Sequence, residues 1–312
     1  MMCPMQYRRP PTRRIDGILL LDKPLGISSN AALQKVRTLF GADKAGHTGA
    51  LDPLATGLLP ICLGEATKIA GLLLAKRKAY ETVVKLGVVT DSDDAEGAVL
   101  RTGEVPSFPR GQIDVVLSKF IGRIEQVPPI YSALKRDGEP LYAKARRGDA
   151  VEVAPRPVEV FGIELIERGD DWLRLKVECG SGTYIRSLAR DIGEELGCGG
   201  HVAQLRRLWV DPFRDPRMFT LEQLAEVAQQ GREALDALLL PVEAGLVGYP
   251  TLQLDGDTAR RLGQGQQPQS PDPGARGLHV AVNAENRALG LVEIDERGKL
   301  NVRRLFSWAA MS

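Results

Sequence analysis

Gly46-His47-Thr48-Gly49-Ala50-Leu51-Asp52-Pro53-Leu54-Ala55-Thr56-Gly57 is the stretch on which the reading of this chain turns. Gly46, Gly49 and Gly57 bracket the one carboxylate and let the backbone turn tightly or accept a close neighbour. Pro53 pushes Asp52 out of helical geometry toward an extended or turn conformation. No Lys or Arg lies three or four residues from Asp52. Read alone, Asp-Pro is an ordinary turn. Ala50, Leu51, Leu54, Ala55, Leu58 and Leu59, however, draw the segment toward a core. An unpaired carboxylate there is costly unless it has a function.

Working outward, the 312 residues suffice for one large domain and a small one. At 43% hydrophobic and 26% charged residues the profile is that of a soluble globular protein. The net charge of +1 excludes a uniformly basic coat. Clustering matters more than the sum, and basic residues group at Arg8-Arg9, Arg13-Arg14, Lys76-Arg77-Lys78, Lys135-Arg136, Arg146-Arg147, Arg206-Arg207 and Arg303-Arg304. Such doublets are commonly solvated faces; offset by acidic stretches, they are read here as one positive face. Cys3, Cys62, Cys179 and Cys198 form no Cys-x-x-Cys pair, which argues against disulfides or a zinc knuckle and fits a reducing cytosol. No apolar run approaches the ~18 residues of a membrane span, and the Arg/Pro-rich start lacks a signal-peptide core, so a cytoplasmic location is expected.

Residues 1–13 read as a disordered basic arm. Ile15 to Leu21 is a buried strand meeting a turn at Asp22-Lys23-Pro24. Asn30 is expected to cap a helix burying Leu33, Val36 and Phe40, with Gly41 as its stop. Tyr80 to Leu86 and Val88-Val89 read as strands, and Ile113, Val116, Leu117, Phe120 and Ile121 as a helical stripe ended by Gly122. Leu173, Leu175 and Val177 alternate with charged residues in a half-buried strand, whereas Ile185, Leu188, Ala189, Ile192 and Leu196 mark a helix face. Thr220-x-x-Gln223 is a capping box. Residues 128–156, with several prolines, basic residues, Tyr131 and Tyr142, read as an insertion that clasps RNA or as a long solvated loop. After Pro250 a short helix, a polar stretch and the strands Leu278–Val282, Leu289–Ile294 and Leu300–Leu305 form a small β-rich module.

Asp22-Lys23-Pro24, the Asp52 segment, Gly64-Glu65-Ala66-Thr67-Lys68, Tyr131-Ser132-Ala133-Leu134-Lys135, Gly182-Thr183-Tyr184-Ile185-Arg186 and Leu205-Arg206-Arg207-Leu208 follow one another in an order and spacing that resemble the bacterial tRNA pseudouridine-55 synthase family. The resemblance implies an α+β fold: a mixed, mostly antiparallel central sheet in two halves, flanked by helices, with the pocket in the central cleft. It implies a catalytic domain over 14–249 and, more loosely, a PUA-like RNA-binding module over 250–312. The activity implied is isomerisation of one T-loop uridine of tRNA to pseudouridine, with tRNA as partner; no obligatory protein partner is evident in the sequence, and a monomer is expected. By motif position Asp52 matches the catalytic aspartate, Tyr80 the tyrosine that stacks on the target base and helps move its proton, Tyr184 a pocket-lining aromatic, Leu205 an apolar wall and Arg186 the arginine paired with the aspartate. His47 matches a histidine beside the flipped nucleotides.

The chemistry suits those residue types. The N1–C1′ bond breaks, the uracil rotates, and C5 bonds to C1′; no redox change occurs and no group is lost. Neither cofactor nor metal is needed, only a carboxylate acting as nucleophile or base in a dry pocket. An arginine beside Asp52 is expected to favour its ionised form. Each residue has a plainer alternative: Tyr80 and Tyr184 as core aromatics, Arg186 facing water from an amphipathic helix. His47, His201 and His279 are too scattered to ligate a metal with the cysteines.

Two rival functions remain at this point. One is an RNA-binding or tRNA-folding protein in which Asp52 is structural. The other is a carboxylate-dependent nucleoside or glycoside hydrolase, which needs a second positioned carboxylate. Glu65 is the nearest in sequence. Asp91, Asp93 and Asp94 have the spacing that opens a calcium loop, but Glu96 stands where its glycine belongs and Thr102 where its bidentate Glu belongs.

Overall fold

The apolar run after Ile15 becomes an edge strand, β1 (Gly17–Lys23), almost wholly buried. The computed structural model describes residues 12–74, 76–131 and 153–311, with residues 135–136, 139–140 and 147 between them. β1 pairs antiparallel with β3 (Ala55–Leu63), which also receives the short β2 (Ala45–His47). Next come β4 (Lys78–Leu86), the paired β5 (Val88–Thr90) and β6 (Val99–Thr102), and β7 (Gly122–Gln126). The two-residue strands β8 (Lys135–Arg136) and β9 (Glu139–Pro140) pair with each other. β10 (Arg156–Arg168), β11 (Trp172–Cys179) and β12 (Gly200–Val210) complete an eight-stranded sheet ordered β1-β3-β12-β4-β11-β10-β7, with β2 beside β3.

Every pairing in this sheet is antiparallel except β3 with β12, which run parallel at Ala55–Leu205, Thr56–Arg206 and Gly57–Arg207. That joint lies immediately after Asp52. Gly57 is glycine because its φ is +94° and a Cβ would sit 2.2 Å from the Arg207 carbonyl oxygen.

Helix Ser29–Phe40 buries Ala32, Leu33, Val36 and Phe40 against the sheet, and its C-cap Gly41 adopts the left-handed conformation. The cap residue is Ser28, not Asn30: the Ser28 hydroxyl accepts the Ala31 amide at 3.1 Å, two residues earlier than expected. Helix Arg110–Ser118 ends before the expected stop, and Gly122 instead opens β7. Helix Ile185–Glu195 lays Ile185, Leu188, Ala189 and Ile192 into the same core. The Thr220/Gln223 capping box forms as read.

Because side chains alternate along a strand, β1 and β3 serve two cores. Leu19, Leu21, Leu59 and Ile61 join the helix-covered side, while Ile18, Leu20, Leu58 and Cys62 face the C-terminal unit. There β13 (Thr251–Gln253), β14 (Gly277–Val282), β15 (Ala288–Ile294) and β16 (Leu300–Leu305) form a four-stranded sheet in that order. Phe306 and Trp308 seal the shared second core. The C-terminal sheet therefore shares a hydrophobic core with the large sheet.

Residues 1–11 and most of 128–156 lie outside the described residues, so the expected arm and insertion fall largely there. Arg13 itself is anchored, its guanidinium paired with Asp236 and its amide donated to Gly41 O. No helix among the described residues is long and apolar enough to cross a membrane.

Candidate active site

The turn before β3 is held from several sides. Ser29 Oγ receives the Leu51 amide at 2.7 Å and donates to its carbonyl at 2.9 Å. The Gly26 amide donates to Pro53 O at 2.9 Å, and Asp52 O accepts from the Ala55 amide at 3.0 Å. Lys23, fully buried, donates to the carbonyls of Ile27 and Pro24 at 2.7 and 2.9 Å and reaches Pro53 O at 3.4 Å. Burial outweighs the attraction of Asp52 and brings the Lys23 ammonium down to about 8.

The Asp52 carboxylate emerges from this frame 44% exposed. Arg186, 5% exposed, places Nη2 at 2.9 Å from Asp52 Oδ2. The same guanidinium places Nη1 at 3.3 Å from Asp94 Oδ2 and donates to the carbonyls of Ser92 (3.0 Å) and Tyr131 (2.9 Å). Arg186 thus does not face water. One turn on, Arg190 Nη1 lies 2.8 Å from Asp93 Oδ2. The acidic loop that fails as a calcium site is an anchor for two helix arginines. Its Asp94 Oδ1 accepts from Ser92 Oγ at 2.5 Å and from the Glu96 amide at 3.1 Å.

Arg186 favours the ionised form of Asp52, as expected, but it does not fully offset the burial. The arginine does pull it down, but desolvation is the larger influence and Asp94 adds to it, so the carboxyl sits above its usual range.

Tyr80 is buried on β4, opposite Val177 of β11 and Arg207 of β12. Its phenol is pushed up by burial, with Arg207 opposing that rise through a hydrogen bond and its charge. Leu205 sits beside Ala55 and Thr82 in the sheet, in the first core. Tyr184 precedes the Arg186 helix, its amide and carbonyl both bonded to the Gln126 side chain. The half-buried His47 lies on β2, with a buried Nδ1 that has no partner among the described residues. Burial, then Arg207, favours its neutral ring.

Asp52, Tyr80 and Arg186 are brought into one electrostatic cluster. Sequence reasoning missed Asp94, Lys23 and Arg207. Arginines at 186 and 190, four apart on a buried helix, were the available signal that two anions must meet them. The Arg206-Arg207 doublet does not present two cations to one face: on β12, Arg206 pairs with Asp22 at 2.7 Å while Arg207 turns inward and is 1% exposed.

Glu65 cannot serve as a second carboxylate here. It follows the nine-residue β3 that Asp52 precedes, roughly 30 Å away at a strand rise of ~3.3 Å per residue. It is engaged with Lys68 Nζ at 2.6 Å and the Ser307 amide at 2.6 Å. Among the described residues no group of three or more His, Cys, Asp and Glu could hold a metal.

This chain matches the TruB family pseudouridylate synthase N-terminal domain over residues 37–185 and the tRNA pseudouridylate synthase B C-terminal domain over 186–247. It is 55% identical over 296 residues to the tRNA pseudouridine synthase B of Xanthomonas axonopodis pv. citri (strain 306), with 95% of each chain covered. It is also 55% identical to that of Xylella fastidiosa (strain Temecula1 / ATCC 700964), covering 97% of this chain and 100% of the relative. The solved Cbf5-Nop10-Gar1 complex superposes with a TM-score of 0.73 at 25% identity, over 93% of this chain and 84% of that one. With its α+β sheet, its helices and the Asp52 segment inside the matched region, the chain belongs to the TruB family of pseudouridylate synthases.

Proposed function

We propose that this protein converts the T-loop uridine at position 55 of tRNA to pseudouridine, with Asp52 as the group that starts cleavage of the N1–C1′ bond. The observation that carries this is the setting of Asp52: a carboxylate on a pinned turn, open on one side and bound by Arg186 at 2.9 Å on the other. The relatives named tRNA pseudouridine synthase B support tRNA as the substrate.

The target base leaves its stack at a cost of a few kcal/mol. Stacking on Tyr80 and Tyr184 offsets part of this, at about 1–3 kcal/mol per base. Leu205 walls the pocket and His47 contacts the neighbouring nucleotides with a neutral ring. Once uracil fills the cleft, the exposed side of Asp52 is shielded and its charge acts in a drier medium. C5 then bonds to C1′, and the proton from C5 ends on N1, so the reaction balances without a cofactor. The module over 250–312 serves as an RNA-binding platform, and the 128–156 segment as a clasp.

Pseudouridine mapping in tRNA from cells with and without the protein tests the position. Asp52→Asn, assayed on a T-arm stem-loop, tests the chemistry: turnover should fall to background with binding within about tenfold, roughly 1.4 kcal/mol. Substantial turnover by well-folded Asp52→Asn would sink the assignment and leave an RNA-binding protein.

A further inference from the structure

Arg207 is one of the largest fully buried side chains among the described residues, 1% exposed, and no carboxylate among them pairs with it. An arginine taken out of water without an anion is expensive, even when hydrogen-bonded. Its guanidinium bonds to the chain on either side of Asp52 and to Tyr80. Nε donates to Leu58 O at 2.7 Å, after the turn, and Nη2 to Gly49 O at 3.0 Å, before it. Its main chain runs parallel to Gly57, which is glycine because this contact leaves no room for a Cβ. Across the other strand it stands opposite Tyr80 and is hydrogen-bonded to the phenol.

We propose that Arg207 is a positioning residue for the uridine isomerisation: it braces the two ends of the Asp52 turn through the carbonyls of Gly49 and Leu58 and holds the Tyr80 hydroxyl in a fixed relation to that turn. The inference rests on the reading that Asp52 and Tyr80 act on the uridine. The planar fork of a guanidinium can span two carbonyls and a hydroxyl at once, which a lysine cannot. The charge has a second effect. Tyr80 faces Asp52, Cys179 and Arg207; of these, Asp52 and Cys179 disfavour a phenolate and Arg207 favours it. Among the described residues the cation pairs with no anion but lies near His47, Lys78 and Lys23, each of which it disfavours as a cation. The uncompensated charge therefore acts on the hydroxyl that meets the base.

The test uses full-length protein with 3,5-difluorotyrosine at position 80, whose phenol is more acidic than that of tyrosine and is followed by fluorine NMR. In Arg207→Gln this phenol should titrate at higher pH than in the unaltered background. With Tyr80 native, kcat on a T-arm stem-loop should fall at least tenfold while KM stays within about threefold. Arg207→Lys should restore most of the titration but little of kcat, since it returns the charge and not the fork. If Arg207→Gln does not fold, Arg207→Lys carries the kcat measurement. Wild-type kcat in either folded variant, or an unmoved titration in Arg207→Gln, overturns the proposal. The titration needs no turnover, so it separates failure of the Arg207 role from failure of the functional reading, which Asp52→Asn reports.

Discussion

Arg186 and Asp52 meet at 2.9 Å with very different surroundings, the guanidinium 5% exposed and the carboxylate 44%. The buried partner fixes the accessible one. Because Arg186 is also held by Asp94, whose side chain is 4% exposed, the cleft carboxylate is referenced to the core and not to a mobile surface charge. Arg186→Lys keeps a cation but cannot reach both carboxylates and two carbonyls. Turnover should fall roughly 10²-fold, as expected of an angstrom-scale misplacement. Arg186→Ala also strands Asp94, and urea unfolding should read a loss of about 3–5 kcal/mol. An Arg186→Ala variant as stable as the unaltered protein would show that Asp94 is not held by this pairing.

The raised pKa of Asp52 has two consequences of opposite sign. If Asp52 starts the reaction as proposed, it acts ionised, so kcat should fall as the pH drops through a value above the ordinary aspartate range. Stability moves the other way. The folded-state pKa exceeds the unfolded one, so ionisation costs the fold; the cost is absent below the unfolded value and grows as the pH rises through the folded one. Asp52→Asn should therefore match the unaltered protein in acid and become the more stable of the two toward neutrality. Denaturant unfolding of both across that range checks the sign, and a variant that loses ground as pH rises contradicts it.

Much of this architecture was legible because the signals were local. The alternation of Leu173, Leu175 and Val177, the face of Ile185, Leu188 and Ile192, and the Thr220 capping box each specify an element within a few residues. The Asp52 turn was legible from its glycines and proline. What sequence could not display was partnership across distance. Asp94 reads as a solvated turn until the chain brings Arg186 to it, and Arg206-Arg207 reads as a basic doublet until strand alternation sends one side chain out to Asp22 and the other into the core. The net direction of the Asp52 pKa was hidden for the same reason: an arginine partner and the sense of its pull can be inferred from a motif, but the dielectric around the pair cannot.

Tyr80 separates ring from hydroxyl. It is 8% exposed in the first core, so Tyr80→Ala opens a cavity and should cost about 3–5 kcal/mol, as buried aromatic truncations do. Tyr80→Phe keeps the ring and loses only the bond to Arg207, about 1 kcal/mol. Both should slow turnover, but Tyr80→Phe should bind the stem-loop nearly normally, while Tyr80→Ala should lose affinity as well. Single-turnover rates scaled to folded protein, with melting curves alongside, make the comparison. Near wild-type rates for both variants would remove Tyr80 from the site.

The C-terminal module should contribute affinity, but it cannot be tested by simple removal. Ile18, Leu20, Leu58 and Cys62 of the catalytic sheet share a core with Leu252, Leu291, Phe306 and Trp308. Lys68 Nζ donates to Leu305 O at 2.7 Å, and the Ser307 amide donates to Glu65 at 2.6 Å. Truncation before residue 250 would expose that apolar face, so a lower melting temperature is expected, and any loss of turnover would be ambiguous. Arg304→Ala is the cleaner probe. Arg304 is exposed on β16 and, unlike Arg303 with Glu293, pairs with no carboxylate among the described residues. If it meets an RNA phosphate, the variant should raise KM for whole tRNA severalfold, leave kcat unchanged, and reduce the salt slope of binding by about one. An isolated T-arm stem-loop, too short to reach the module, should be processed normally. An unchanged salt slope with whole tRNA would place the RNA elsewhere than on β16.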